Sequence, residues 1–402
     1  MKNLAIVGAG TMGAGIAQLA ATSGTTVHLI DVSSGVLESA LNGLQKRIDR
    51  LVEKGKIDGS AADEILGRIK PATEFDALQD VELALEAVVE DLAVKHTVFR
   101  SLETALPATA VLATNTSSLS VTRIAEAVGH PGRVVGMHFF NPAPLMALVE
   151  IVAGDRSEDA ALDCAVQAAR AWGKTPVRAK DTPGFIVNRV ARGYYLEALR
   201  LLGEGIAGVD EIDNIMRTHG KFRMGPFELM DLVGLDVNYA VSVSVWEQMD
   251  KHPRFTPHDI QRGLVEKTQL GRKTGRGFYD YSGGSPVPAC PVDRKSFGFP
   301  PLLADGVRAM ATRAGAPAAS STEQYVFCRI LSAILNEAGL AFSQQVATSE
   351  DIDTAMTKGT NYPKGPLAWA DEIGHHTVHG ILSALNEQSA DGRYEPAPLY
   401  LD

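Results

Sequence analysis

Apolar positions run along this chain in two rhythms. In the first half, short unbroken apolar runs alternate with amphipathic stretches: Leu4 to Val7, Val27 to Ile30, Val81 to Val89, Val111 to Ala113 and Arg133 to Phe140 read as buried strands. Small and apolar residues at Ala14, Ile16, Ala17, Leu19 and Ala20 predict a helix packed against a sheet, and Ser39 to Val52 reads as an amphipathic helix. After Pro183 the rhythm changes. Asn188–Leu202, Val209–Arg217, Pro226–Asp250 and Pro257–Glu266 carry helical spacing, and Lys273 to Tyr281 closes the segment. Residues 282–324 are rich in Pro, Gly, Ala and Ser without sustained periodicity, which predicts a linker or an irregular excursion.

The first apolar run ends in Gly8-Ala9-Gly10-Thr11-Met12-Gly13, and the second ends in Asp31. Strand, glycine turn, helix, strand and terminal acid form the dinucleotide-binding order. Gly8 allows the tight turn, Gly10 lets backbone approach a pyrophosphate, and Gly13 lets the helix lie close to the strand. The helix N-terminus offers N–H groups and the positive end of its dipole to that pyrophosphate. A carboxylate at Asp31 accepts ribose hydroxyls and repels a 2′-phosphate, and residues 32–36 hold no Arg to receive one, so NAD is expected over NADP. Asp31, Glu90, Asn115 to Ser118 and His138 all fall at strand ends. In an open α/β sheet such ends share one rim, where ligands bind.

Composition narrows the partners. Across 402 residues the formal charge is −10, which argues against nucleic acid while permitting local basic pockets. Three scattered cysteines (Cys164, Cys290, Cys328) suit neither a disulfide framework nor a metal site and fit a reducing, cytoplasmic setting. On the cysteine count no metal is expected, and because no apolar run reaches the roughly 18–20 residues of a membrane span, no membrane partner is expected either.

Four longer motifs are more specific. They are Gly8 to Gly13, Asn115-Thr116-Ser117-Ser118-Leu119, Gly136-Met137-His138-Phe139-Phe140-Asn141-Pro142 with Val149-Glu150-Ile151, and Asp181-Thr182-Pro183-Gly184-Phe185-Ile186-Val187-Asn188-Arg189. In order and spacing, from Lys2 to about Tyr281, the chain resembles the L-3-hydroxyacyl-CoA dehydrogenase family. The resemblance implies an α/β plus all-α fold, a Rossmann-like NAD-binding domain followed by a helical domain, and NAD-dependent interconversion of 3-hydroxyacyl-CoA and 3-ketoacyl-CoA. It implies His138 as catalytic base, Glu150 as its paired carboxylate, and Ser117 and Asn188 as polar groups around the reacting oxygen. Beside Gly8, Gly10, Thr11, Met12 and Gly13, it places Asp31, Glu90, Lys95, Asn115, Ser117 and Lys273 on the cofactor side. Lys54 and Arg47 match positions facing coenzyme A. Lys54 with Lys56 also reads as ordinary cations at a helix end, and Lys95 as an exposed partner of Asp91.

The helical segment is present twice. Adding 140 to residue numbers aligns Arg189 with Arg329, Glu197-Ala198 with Glu337-Ala338, Ile212-Asp213 with Ile352-Asp353, and Gly225-Pro226 with Gly365-Pro366. The expected layout is 1–182 for NAD, 183–281 helical, 282–324 linker and 325–402 a degenerate second copy. Cys328 stands at the Asn188 position, so the second copy is not expected to be an active site, although the residues leave a reactive thiol open. Single-copy members of the family pair their helical domains in a dimer. Either a homodimer or an intrachain pseudo-dimer therefore follows. Two other readings remain at this stage: a relative acting on a free hydroxy acid, as gulonate dehydrogenase and crystallin-like members do, and an idle NAD-binding structural protein.

Overall fold

The computed structural model describes residues 1–76, 78–294 and 301–401, apart from the side chains of 301 and 302. The chain divides into two compact units, Met1–Phe185 and Ile186–Asp402.

The first unit runs β1 (Asn3–Val7), α1 (Thr11–Thr22), β2 (Thr26–Ile30), α2 (Ser34–Glu53), α3 (Gly59–Gly67), β3 (Ile69–Ala72), β4 (Leu83–Glu86), α4 (Leu92–Ala105), β5 (Val111–Thr114), α5 (Val121–Ala125), β6 (Val134–Phe139), β7 (Leu148–Ala153), α6 (Asp159–Ala171) and β8 (Thr175–Lys180). The sheet order is β3-β2-β1-β4-β5-β6-β7-β8. β1 to β6 pair in parallel, β7 runs against β6, and β8 runs parallel to β7. The order reverses between β1 and β4, which opens a crevice at their carboxyl ends. Strands β4, β5 and β6 are buried throughout, as continuous apolar runs covered by helices on both faces should be. The excursion from α2 through α3 to β3 is absent from the sequence reading. The strand residues Ile69-Lys70-Pro71-Ala72 have only one fully buried position, so no apolar run announces an edge strand.

The second unit is helical: α7 (Val187–Val190), α8 (Arg192–Gly203), α9 (Val209–Thr218), α10 (Pro226–Val233), α11 (Leu235–Gln248) and α12 (Asp259–Glu266), then a small ribbon of β9 (Tyr279–Asp280) and β10 (Val287–Pro288), then α13 (Pro301–Arg313), α14 (Ser321–Ser343), α15 (Ser349–Gly359), α16 (Pro366–Ile373) and α17 (His375–Ser389). The expected helix over Pro226–Asp250 is two helices. Gly234, at φ 102°, turns the chain between α10 and α11. The expected linker contains α13, whose Leu303, Val307, Met310 and Ala311 are buried; residues 295–300 of that stretch lie outside the described residues. α14 is long and apolar enough to cross a membrane by length and composition, which the run lengths did not suggest. Most of it is buried inside the helical unit.

The 140-residue repeat has a structural cause. Asp213 accepts the backbone N–H groups of Phe227 and Glu228 at 2.9 and 3.0 Å, and Asp353 accepts those of Leu367 and Ala368 at 2.8 and 2.9 Å. Each carboxylate thus satisfies N–H groups at the start of a helix opened by Gly-Pro. A Cβ on Gly225 would lie 2.3 Å from Asp213, and one on Gly365 2.2 Å from Asp353, so both glycines are required by close approach.

Within this unit α7 and α8 meet α14 in a reciprocal way. Arg189 donates to Glu337 at 2.6 Å and to Gln344 at 2.8 Å; Arg329 donates to Glu197 at 2.5 Å and to Glu204 at 2.5 and 2.7 Å. Residue i of one copy meets j of the other, and j meets i, as across a twofold axis. At the crossing Gly193 lies over Ala333, its own counterpart in the repeat. A Cβ on Gly193 would stand 2.9 Å from the Ala333 carbonyl carbon. Burial alone would raise the Glu197 carboxyl, but the Arg329 and Arg200 cations and the Tyr394 hydroxyl outweigh it and bring it down to about 2.

Arg329→Met removes one of the two cations paired with buried Glu197 and should cost about 3 kcal/mol in urea unfolding, the low end for a broken buried pair because Arg200 remains, whereas replacing both partners by apolar residues should cost less than the sum of the single losses. The folded pKa of Glu197 lies below its usual 4.5, so its contribution is complete above that value and lost as pH falls toward about 2. Unfolding midpoints measured from pH 6 to pH 3 should fall less steeply in Glu197→Gln.

Candidate active site

The glycine turn has the geometry its residues imply. Gly8 sits at φ 101°, where a Cβ would lie 2.6 Å from the Ala87 carbonyl oxygen. A Cβ on Gly13 would lie 1.8 Å from the carbonyl oxygen of Gly8, so helix and turn could not approach as they do. A Cβ on Gly10, by contrast, would meet nothing within 4 Å. α1 begins at Thr11-Met12-Gly13 with no capping side chain and no acid in its first turn. Open space before an uncapped helix N-terminus fits a pyrophosphate. Asp31 ties the turn in place, accepting the Ala9 N–H at 2.9 Å on one oxygen and the Ser33 N–H at 3.0 Å on the other. Both oxygens keep lone pairs for ribose hydroxyls. These residues fit NAD.

The next rim element is a charge cluster that the sequence showed only in part. Lys95 is 1% exposed and donates to Glu86 at 2.7 Å, while Glu90 lies 3.2 Å away. Glu86 is fully buried at the end of β4 and also accepts the Val88 N–H and the Thr114 hydroxyl, each at 2.7 Å. The exposed pairing of Lys95 with Asp91 does not form. Asp91 instead caps α4, accepting the Val94 N–H at 3.0 Å. Glu90 is engaged on Oε1 by the Thr116 hydroxyl at 2.6 Å, the Ser117 N–H at 2.9 Å and the Ser118 N–H at 3.0 Å. Burial raises the Glu90 carboxyl, and Lys95 with these donors more than reverses that, to about 2. Glu90 therefore shapes the loop that carries Ser117. The Ser117 Oγ makes no hydrogen bond among the described residues, and the cap of α5 is Ser120, so Ser117 is not spent on capping. Glu86 was missed because a single acid inside an apolar strand run reads as an interruption; that same oddity was the available signal.

At the centre lies the β6–β7 pair. His138 and Glu150 are directly opposite in antiparallel register, and His138 Nδ1 lies 2.7 Å from Glu150 Oε2. His138 is 5% exposed and Glu150 fully buried. Phe140 and Phe185 flank the imidazole at 4.5 and 5.7 Å between ring centroids. Asn115 Oδ1 accepts the Phe139 N–H at 2.9 Å, which joins the β5 loop to the strand carrying His138 and leaves the Asn115 NH₂ group for a ligand. With Nδ1 held by a carboxylate, Nε2 is the nitrogen left for proton transfer.

The remaining candidates lie on other elements. Lys54 is exposed at the C-terminus of α2. Arg47 is turned inward, its Nε donating to Gln18 of α1 at 2.7 Å and its Nη2 buried without a partner. Asn188 and Lys273 belong to the second unit, where Lys273 is paired with Asp236 at 2.5 Å. Cys328 is fully buried, its thiol facing the Val307 carbonyl at 3.5 Å, and burial pushes its pKa far up. A thiol without thiolate character or access is not reactive, which removes the role left open for it.

Known proteins match this arrangement. The profile of the 3-hydroxyacyl-CoA dehydrogenase NAD binding domain matches residues 3–182, and that of the 3-hydroxyacyl-CoA dehydrogenase C-terminal domain matches 184–281 and 325–402. The 3-hydroxyadipyl-CoA dehydrogenase of Escherichia coli K12 is 36% identical over 99% of this chain and 96% of its own length. The 3-hydroxybutyryl-CoA dehydrogenase of Clostridioides difficile is 39% identical over 69% of this chain and 99% of its own. A crystal structure of 3-hydroxybutyryl-CoA dehydrogenase from Escherichia coli K12 superposes with a TM-score of 0.88 at 35% identity, covering 99% of this chain and 97% of that one.

Lys95→Met leaves the buried Glu86 carboxylate without its cation and should lower stability by about 3–5 kcal/mol. Adding Glu86→Gln should recover part of that loss in thermal or urea unfolding, since the stranded charge is then gone.

Proposed function

This chain belongs to the 3-hydroxyacyl-CoA dehydrogenase family, NAD-dependent oxidoreductases, and we propose that it oxidises the C3 hydroxyl of a 3-hydroxyacyl-CoA thioester through His138 and Glu150. The observation that carries this reading is the buried pair at 2.7 Å, with His138 near the carboxyl end of β6 in the sheet whose β1 ends in the glycine turn. Bound NAD supplies the hydride acceptor. His138 Nε2 takes the hydroxyl proton during oxidation and returns it in the reverse direction. Glu150 accepts from Nδ1–H, selects the tautomer with a free Nε2, and stabilises the imidazolium that forms. The Ser117 hydroxyl and the Asn188 amide donate to the reacting oxygen as charge develops on it. Asp31, Glu90 with Lys95, Asn115 and the Gly8 to Gly13 turn hold and orient the cofactor. Lys273 and Lys54 serve as the outer contacts with NAD and coenzyme A, whereas Arg47, bonded to Gln18, faces α1 instead. The Asp31 carboxylate supports NAD over NADP, since a 2′-phosphate would meet its charge.

Names among the similar proteins include 3-hydroxybutyryl-CoA and 3-hydroxyadipyl-CoA dehydrogenases. The two acyl groups differ by two carbons and by a terminal carboxylate. The three thiols, unpaired among the described residues, suit a cytoplasmic setting.

The reciprocal Arg189–Glu337 and Arg329–Glu197 pairs support an intrachain pseudo-dimer, in which the second copy occupies the face that α8 would offer to another chain.

With acetoacetyl-CoA the protein should consume NADH, with NADPH and with free acetoacetate turned over far more slowly. His138→Gln should lose a factor of roughly 10²–10⁴ in kcat; a fully active variant removes the assigned mechanism. Light scattering at micromolar concentration should give the mass of one chain. An interchain dimer built on α8 would contradict the intrachain pairing.

A further inference from the structure

Arg192 is 3% exposed and has no carboxylate within ion-pair distance among the described residues. Its Nε donates to the Asn188 carbonyl at 3.0 Å, and its Nη1 to the Asn238 carbonyl at 3.1 Å and the Ser242 hydroxyl at 2.8 Å. The face of Tyr195 lies 4.8 Å from the guanidinium carbon. Nη2 donates to nothing among the described residues. Lys95, Arg189 and Arg329 each meet a carboxylate, and Lys174, also buried among neutral groups, has its ammonium engaged by three carbonyl oxygens, of Ala143, Pro144 and Met146. A buried cation surrounded by neutral groups is costly, and structures keep one only for a compensating reason.

A second polar group in the same region is unsatisfied. Tyr362, from the loop between α15 and α16, is 5% exposed, and its hydroxyl is buried with no hydrogen-bond partner. Its ring lies 5.8 Å from that of Tyr194 and 5.0 Å from that of Phe222. Burial pushes the Arg192 guanidinium below its usual range, and the groups whose charge opposes this are Tyr195 and Tyr362. No acid on a neighbouring element acts on it.

The repeat supplies an internal control. At the 140-residue offset, Cys328, Ser332, Val378 and Leu382 stand where the first copy has Asn188, Arg192, Asn238 and Ser242, and all four are buried. The same helices therefore pack without this polar set. In the other direction, Tyr362 stands where the first copy has Phe222, so its hydroxyl exceeds what packing needs. Arg192 lies one helical turn after Asn188, and helix side chains lean toward the N-terminus, which brings its guanidinium back beside the Asn188 turn.

We propose that Arg192 and the Tyr362 hydroxyl receive a second carboxylate at the far end of the acyl chain, making this a dehydrogenase of dicarboxylyl-CoA thioesters. This rests on the reading above, in which Asn188 faces the reacting end of the substrate. The distal carboxylate supplies the missing counter-charge to Arg192 and an acceptor for both orphaned donors. A methyl group in its place would leave the buried Tyr362 hydroxyl and the Arg192 charge unpaired, the arrangement that discriminates most strongly between analogues.

The test compares kcat/KM of the full chain, with NADH, on 3-oxoadipyl-CoA and 3-oxohexanoyl-CoA, which share chain length and differ in carboxylate against methyl. The wild type should prefer the dicarboxylyl substrate by roughly 100-fold. Arg192→Ser, the residue of the second copy, should bring that ratio close to one. Tyr362→Phe, the residue of the first copy, should lower it about tenfold through KM, with an unchanged Tm. Arg192→Lys should retain part of the preference. A wild-type ratio near one overturns the proposal, as do variants that lose both substrates in parallel, which would make Arg192 only a pin between α8 and α11. Failure to turn over either thioester while NAD still binds sinks the reaction assignment itself.

Discussion

The antiparallel pairing of β6 with β7 is the single reversal of direction in an eight-stranded sheet, and the site depends on it. A parallel neighbour for β6 would need a crossover, and the residue opposite His138 would come from a distant segment. Here a short return through Pro142 and Pro144 brings Glu150 opposite His138 within twelve residues. The side-chain period of a strand then leaves no freedom. A slip of one residue would turn Glu150 to the other face and put Val149 or Ile151 in its place. Because Glu150 is fully buried, its charge requires a partner, and the partner it meets is the imidazole.

The same requirement, that a buried charge find its complement, organises the rest of the molecule. Lys95 is shared by two carboxylates. Glu86 anchors it from β4, and Glu90 turns outward to gather the Thr116–Ser118 loop. In the helical unit, Arg189 and Arg329 reach across to Glu337 and Glu197 and hold two copies of one motif face to face. Arg192 and Lys174 meet neutral groups instead; Lys174 is engaged by three carbonyls, whereas Arg192 leaves Nη2 over, and the second copy buries Ser332 in its place.

How much of this was legible depends on the distance over which each feature is encoded. The glycine turn, its helix and Asp31 lie within some thirty residues, and each glycine has a local steric reason, so pattern alone sufficed. The pairing of His138 with Glu150 follows from motif resemblance; spacing by itself would not have matched them. Pattern misjudged elements whose signal is weak or interrupted. β3 has a single buried position, Gly234 divides what reads as one helix, and α13 lies in a stretch whose proline and glycine content suggests irregular chain. It also mistook partners. Lys95 reads as a surface pair with Asp91, one helical turn away, yet it points into the sheet toward Glu86.

The amino-acid sequence by itself determined the dinucleotide turn, the two rhythms of the chain, the repeat and the candidates for the chemistry, because each is carried by neighbours or by a fixed offset. Tertiary structure alone decided which charges are buried and with what. It closed the Lys95 cluster, turned Arg47 inward to Gln18, made the Cys328 thiol inert, and, among the described residues, left Arg192 without a carboxylate and the Tyr362 hydroxyl without a partner. Burial is a property of packing between distant segments, and it sets the cost of an unpaired charge, so the roles of these side chains emerge only once the chain has folded.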